Sequence, residues 1–311
     1  MEFSHVPVML TECIDGLNIK NGGLYLDGTL GLGGHSEAII KACAPNGRLL
    51  AIDKDSDALM SAGERLSPYM DRITFIHDDF KNAGRHIAKF APDGLDGAIL
   101  DLGVSSMQLD NLERGFSYKS DTILDMRMNR TQYLTAFNVV NEYTEYELAK
   151  ILFEYGEERY SRRIAQNIVK ARSTSSIRTT GQLAEIIEKS IPAQSRFSGG
   201  HPAKRTFQAI RIEVNGELDG LSAAVSEIAM SLKKGGRMCV ITFHSLEDRI
   251  VKNAFRELEK DCICDKSAPI CVCNKRQEVR LINKKPIEAS KEELAMNKRS
   301  ASAKLRIIER V

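Results

Sequence analysis

No stretch of the chain approaches the roughly 18 consecutive apolar residues of a membrane-spanning helix, so no span is expected. Met1-Glu2-Phe3-Ser4-His5 carries neither a basic start nor an apolar core, so secretion is not expected. Cysteine is sparse: seven in 311 residues do not make a disulfide framework, and a reducing cytoplasm is the expected setting. The glycine turn that stands out also lacks the full G-x-G-x-x-G spacing of a dinucleotide fingerprint.

What is present is bulk with an uneven charge. A chain of 311 residues, 42% apolar and 28% charged, suits a globular protein of one and a half to two domains. Residues 1–101 hold 9 Lys+Arg against 15 Asp+Glu, whereas residues 156–211 hold 11 against 4. The second group includes Arg159, Arg162, Arg163, Lys170, Arg172, Arg178, Lys204, Arg205 and Arg211. A local basic excess is the footprint of phosphate binding, with a solvated helical face as the alternative.

The most informative stretch is Leu26-Asp27-Gly28-Thr29-Leu30-Gly31-Leu32-Gly33-Gly34-His35. It follows the apolar run Leu24–Leu26 and opens a helical pattern through Ala38, Ile39, Ile40 and Ala42, giving strand, glycine turn, helix. Glycine leaves backbone N–H groups at the helix start open to a ligand. Asp53 closes a second apolar run 20 residues past Gly33 and is placed to accept both hydroxyls of a ribose.

Further runs at Ile73–Ile76 and Ala98–Leu100 predict strands, each followed by polar residues. Helical patterns near 36–44, 55–66 and 81–90 lie between, so a parallel sheet with helices on both faces is expected. From 108 to 208 the pattern turns helical, at 131–140, 144–155, 158–172 and 179–190, which reads as an insertion. The α/β pattern then resumes. A helix over Leu218–Leu232 ends at Lys233-Lys234-Gly235-Gly236, read as a glycine C-cap. A strand Arg237–Phe243, a helix from Leu246 to Leu258, strands Val279–Ile282 and Lys304–Arg310, and a polar connector Pro286–Ser302 complete it. The expected domains are 1–107 with 209–311, and an inserted 108–208.

NAD, FAD and S-adenosylmethionine all use a glycine turn with a ribose-binding acid. Three features tilt toward S-adenosylmethionine: the incomplete dinucleotide spacing, the acid-plus-hydroxyl loop Asp101-Leu102-Gly103-Val104-Ser105-Ser106, and a Lys-Lys-Gly-Gly-Arg turn before a late strand. A nicotinamide oxidoreductase and a non-catalytic RNA-binding protein are the other classes.

Nearly the whole chain then matches a known pattern. The segments are His5–Leu10, Asp27–His35, Ala51-Ile52-Asp53, Asp101–Gln108, Arg114-Gly115-Phe116-Ser117, Asp125-Met126-Arg127-Met128, His201–Arg211, Phe243–Arg249 and Arg299–Arg306. On these the sequence closely resembles the bacterial 16S ribosomal RNA N4-cytosine methyltransferase family (RsmH, formerly MraW). The resemblance implies a Rossmann-like S-adenosylmethionine-dependent sheet interrupted by a helical substrate-recognition domain. It implies methylation of the exocyclic N4 of a cytidine in the decoding region, with 16S rRNA or the small ribosomal subunit as partner, no membrane, and a homodimer as an expectation. Its cofactor contacts fall on Gly33, Gly34, His35, Asp53, Phe80, Asp101 and Gln108.

The chemistry sets its own demands. The N4 amine is a weak nucleophile because its lone pair is conjugated into the ring, so the site must align the reacting atoms and accept hydrogen bonds from the amine. Carbon-5 methylation would need an attacking cysteine, typically in a Pro-Cys pair, and the chain has none. Asp101, Ser105 and His244 are the catalytic candidates, His244 having a turn-closing role as its alternative. Lys204 and Arg205 are read as phosphate contacts, or else as partners of an acidic patch. Phe116, Phe197 and Phe207 could stack on bases or be core. Finally, Cys262-x-Cys264 and Cys271-x-Cys273 form a compact quartet that suggests structural Zn²⁺, though C-x-C is tighter than the usual spacing. Cys13, Cys43 and Cys239 look like core.

Overall fold

The computed structural model describes residues 7–196, 200–265 and 270–311. Eight strands form one sheet: β1 (Leu24–Asp27), β2 (Arg48–Asp53), β3 (Ile73–His77), β4 (Leu95–Asp101), β5 (Leu232–Thr242), β6 (Val279–Leu281), β7 (Ile287–Glu288) and β8 (Lys304–Arg310). The order is β3-β2-β1-β4-β5-β8-β6, with β7 pairing β8 off that path. The first five strands run parallel, and β8 returns antiparallel to β5, β6 and β7.

Parallel strands covered on both faces must be apolar on both faces, which is why they read as continuous runs. In β2, Leu49, Leu50, Ala51 and Ile52 are all buried, and in β4 so are Ala98, Ile99 and Leu100. The helix Gly34–Ala42 buries Ile39 and Ile40 in a core shared with Tyr25, Leu49 and Ile99. Burying each such side chain contributes ~1.5–3 kcal/mol. Cys13, Cys43 and Cys239 lie in this core, as expected.

Strand order reverses at β1, whose neighbours are β2 on one side and β4 on the other. Ligands of such sheets sit at this switch point, beyond the carboxyl ends of the strands. Asp27, Asp53 and Asp101 are the last residues of β1, β2 and β4.

One local expectation fails. Gly235 and Gly236 do not cap a helix: the helix Leu221–Met230 ends at Ser231, and β5 already begins at Leu232. The glycines lie in a bulge, where the pairing jumps from Leu95↔Leu232 to Gly97↔Arg237. Gly235 has φ 76°, and a side chain on Gly236 would lie 2.9–3.1 Å from the carbonyl oxygens of Lys233, Leu95 and Asp96. Glycine relieves both constraints.

The chain divides into two compact units. One takes the chain up to Gly103 and again from Gly220; the other is Val104–Asp219. The second unit is helical, with Ala136–Glu142, Glu145–Glu154, Ser161–Arg172, Thr180–Ser190 and Lys204–Asn215. Val139, Leu148, Leu152, Ile164, Ile168, Leu183, Ile187 and Ile210 form its own buried core. Three of these five helices start with reciprocal capping boxes, Thr135 with Asn138, Thr144 with Glu147 and Thr179 with Gln182. The helix read from 131 starts only at Ala136. Arg127 holds the preceding loop instead, through the carbonyls of Arg130 and Gln132.

Candidate active site

The turn after β1 is built around carboxylates. Asp27 Oδ1 accepts from the Thr29 amide at 3.1 Å and its Oδ2 from the Ser36 hydroxyl at 2.7 Å, which staples the turn to the following helix. Asp53 Oδ2 accepts from the Gly31 amide at 2.8 Å and Oδ1 from the Asp55 amide at 2.9 Å. Thr29 Oγ1 accepts from the Asp101 amide at 2.6 Å, tying the turn to the end of β4. Asp27 organises the turn at the candidate site, a role the sequence reading did not single out. Its place as the acid directly before the glycines was the available signal.

The glycines leave no room for side chains. A Cβ on Gly28 would lie 2.4 Å from Leu100 Cδ2 and 3.1 Å from Phe80 Cβ, and one on Gly34 would lie 2.2 Å from Pro7 Cγ. Gly33 caps the helix in the left-handed region at φ 75°.

Burial pushes the Asp27 carboxyl up to about 6, helped by the charge of Asp53 and opposed by the Ser36 and Thr29 bonds. Burial likewise pushes Asp53 up to about 6, helped by the charge of Asp55. Asp101 goes furthest, to about 8, through burial and the charges of Asp27 and Glu247. About a quarter of the Asp101 side chain stays open, yet its Oδ1 is sealed and meets no hydrogen-bond partner among the described residues. Carboxylates raised in this way lack compensating positive charge. A cation placed beside them would favour their ionised forms. That is compatible with the sulfonium of S-adenosylmethionine, with Asp53 for a ribose.

His35 is buried, and its Nε2–H donates to the Val8 carbonyl at 3.0 Å, which leaves Nδ1 bare 3.8 Å from Asp101 Oδ2. Burial pulls its pKa down to about 4, so the ring is neutral and gives Asp101 no counter-charge. Phe80 is half-buried just beyond the β3 end, where Asp79 caps its 3₁₀ turn. His244 caps the helix Ser245–Glu259: its Nδ1 accepts from the Glu247 amide at 3.4 Å. Its Nε2 lies 3.1 Å from Glu247 Oε1 but out of hydrogen-bond alignment. The turn-closing geometry is thus present, alongside a nitrogen not engaged in a hydrogen bond.

Ser105 and Gln108 belong to the second unit. The Ser105 hydroxyl accepts from the Gln108 amide at 3.3 Å, while Gln108 Oε1 accepts from the Ser105 amide at 3.0 Å, a capping box that starts the helix Ser106–Asp110. Lys204 and Arg205 open the helix Lys204–Asn215 and are exposed. Arg205 donates to the Glu157 carbonyl at 3.1 Å, and neither residue forms an ion pair with a described residue. Two cations at a helix N-terminus oppose the helix dipole, which suits an anionic partner. The basic segment is not uniformly free: Arg172 bonds the carbonyls of Val140 and Tyr143, and Arg211 forks onto Glu217. Phe116 and Phe207 are buried in the helical core, so neither is a surface for base stacking. Phe197 lies outside the described residues. Among the described residues no helix is long and apolar enough to cross a membrane.

A doubly wound sheet with a glycine cradle and carboxylates at its switch point is the Rossmann-like architecture that S-adenosylmethionine-dependent methyltransferases use. Comparison with known proteins narrows the class: the chain belongs to the MraW methylase family, whose model matches residues 2–311. A Ribosomal RNA small subunit methyltransferase H of Clostridium botulinum (strain Kyoto / Type A2) is 54% identical over 311 residues, covering 100% of both chains. One of the same name from Clostridioides difficile (strain 630) is 50% identical over the same span, again covering 100% of both. The chain is also similar in fold to solved structures. TrmN from Thermus thermophilus aligns with a TM-score of 0.42 at 12% identity, covering 100% of this chain and 50% of that one.

Proposed function

We propose that this chain transfers a methyl group from S-adenosylmethionine to the exocyclic N4 of a cytidine in the decoding region of 16S ribosomal RNA. The carrying observation is Asp101, a carboxyl at the end of β4 whose side chain stays about a quarter open while no described cation neutralises it. The relatives named as small-subunit rRNA methyltransferases support the substrate class.

The bound cofactor supplies an electrophilic methyl on a good leaving group. The cytosine amine loses its conjugation as it bonds to that methyl, and it then carries one proton too many. The open part of the Asp101 carboxylate is the acceptor that orients the amine and takes this proton. Because its pKa is raised to about 8, the site without a cation holds Asp101 largely protonated at neutral pH. A cation beside it favours the carboxylate form, so the base appears when the donor is present. Ser105 and His244 are the secondary catalytic candidates. Gly33, Gly34, His35, Asp53, Phe80 and Gln108 are proposed to hold the donor, and the helical unit to recognise RNA, with Lys204 and Arg205 on phosphates.

The test is methyl transfer from radiolabelled donor to immature small ribosomal subunits, followed by nucleoside analysis. Label on the amine of one cytidine is expected. Label absent from cytosine amines, or found on carbon 5, refutes the reading.

A further inference from the structure

We propose that Cys262, Cys264, Cys271 and Cys273 form a closed structural Zn²⁺ site in which all four thiolates are ligands. The four lie in the connection between the helix Ser245–Glu259 and β6. The ends of this connection are tied together, since the Glu278 amide donates to the Leu258 carbonyl at 2.9 Å and Arg310 pairs with Glu278. Among the described residues of the part between them, Ile263, Ile270 and Val272 are exposed and form no apolar core. Hydrophobic burial therefore does not gather the sulfurs.

Yet they are gathered. All four sulfurs lie within 4.8 Å of one another. The separations are 3.5 Å for Cys262–Cys271, 3.6 Å for Cys271–Cys273, 3.8 Å for Cys262–Cys273 and 3.9 Å for Cys264–Cys271. A tetrahedron with Zn–S bonds of about 2.3 Å has edges of ~3.8 Å. All four cysteines are free, so no disulfide explains the approach.

Backbone amides complete the arrangement. Ile263 N faces Cys273 Sγ, Cys264 N faces Cys262 Sγ and Val272 N faces Cys264 Sγ, each at 3.4 Å. Such N–H donors disperse thiolate charge and hold ligands in place. The Cys264 amide turns back on Cys262, which is how the tight C-x-C spacing presents two sulfurs to one point. Lys275 and Arg276 lie two and three residues past Cys273 and carry charge of the sign opposite to a four-thiolate centre. Thiolates select soft ions over Mg²⁺ or Ca²⁺, and Zn²⁺ binds more tightly than Fe²⁺ in the same ligand set. Four protein ligands leave no open position, so the ion fixes the connection and takes no part in methyl transfer.

The test uses the full chain purified under reducing conditions with zinc supplied. One zinc ion per chain is expected by elemental analysis, and replacement by Co²⁺ should give the thiolate charge-transfer bands of a tetrahedral centre. The double variant Cys262→Ser/Cys271→Ser should lose the metal. In the wild-type chain, chelation should speed proteolysis between residues 260 and 278, a readout independent of how any variant folds. Iron in place of zinc, cysteines paired as disulfides, zinc well below one per chain, or undiminished zinc in the double variant would each overturn the assignment.

Discussion

Replacing Asp101 by Asn removes a charge the fold does not compensate, so it should stabilise the protein while disabling it. The folded chain holds the Asp101 carboxyl at about 8 against an ordinary 3.8, so from 3.8 upward the folded form keeps a proton the unfolded chain has lost. Stability therefore falls as pH rises through that window, and the loss is complete above about 8. At 1.36 kcal/mol per pH unit, the ceiling is ~6 kcal/mol near pH 9. The repulsion from Asp27 and Glu247 is relieved along with the burial cost, but the open quarter of the side chain and the unpartnered amide that Asn would bury bring the expected gain to ~2–3 kcal/mol. The gain should shrink steadily toward acid and vanish near pH 4. Urea unfolding of both proteins across pH, without ligand, measures it. A variant that is less stable than wild type near pH 9, or a difference independent of pH, would refute the charge argument.

Other consequences follow from the same geometry. Asp53→Ala should weaken S-adenosylmethionine binding at least tenfold, ~1.4 kcal/mol, through loss of a charge-assisted ribose contact, as calorimetry can check. The pH profile of kcat/KM for the donor should rise toward about 8 while that of kcat rises at lower pH, because a bound cation favours the Asp101 carboxylate; coincident profiles would contradict this. Charge reversal at Lys204 and Arg205 should weaken RNA binding and flatten its dependence on salt, and an unchanged slope in a filter-binding titration would remove their phosphate role. Gly34→Ala places a methyl 2.2 Å from Pro7 Cγ and should lower the melting temperature despite alanine's helix preference.

Much of the sheet was legible because parallel strands buried on both faces write themselves as apolar runs ending in a polar residue. Asp53 and Asp101 could be picked out that way. Asp27 has the same position, but its carboxylate acts through Thr29 and Ser36, and that use depends on the fold of the turn. Gly235-Gly236 misled because a glycine pair marks a helix end and a strand bulge equally well; only the β4 register separates them. For Phe116 and Phe207 the sequence left stacking and core both open, because a short local window does not reveal which side of a helical unit becomes core; both are core. Ser105 and Gln108 are four and seven residues from Asp101 in sequence, yet their reciprocal cap is a local helix signal that spacing alone could have suggested. The cysteine quartet could be counted in sequence, whereas the near-tetrahedral sulfur separations needed coordinates.

The most direct measurement is mass-spectrometric mapping of methylated nucleosides in small-subunit rRNA from cells lacking this protein. One decoding-region cytidine should lose its N4 methyl group and regain it when the wild-type chain is restored. An unaltered N4-methylcytidine content in the deleted strain would contradict the account.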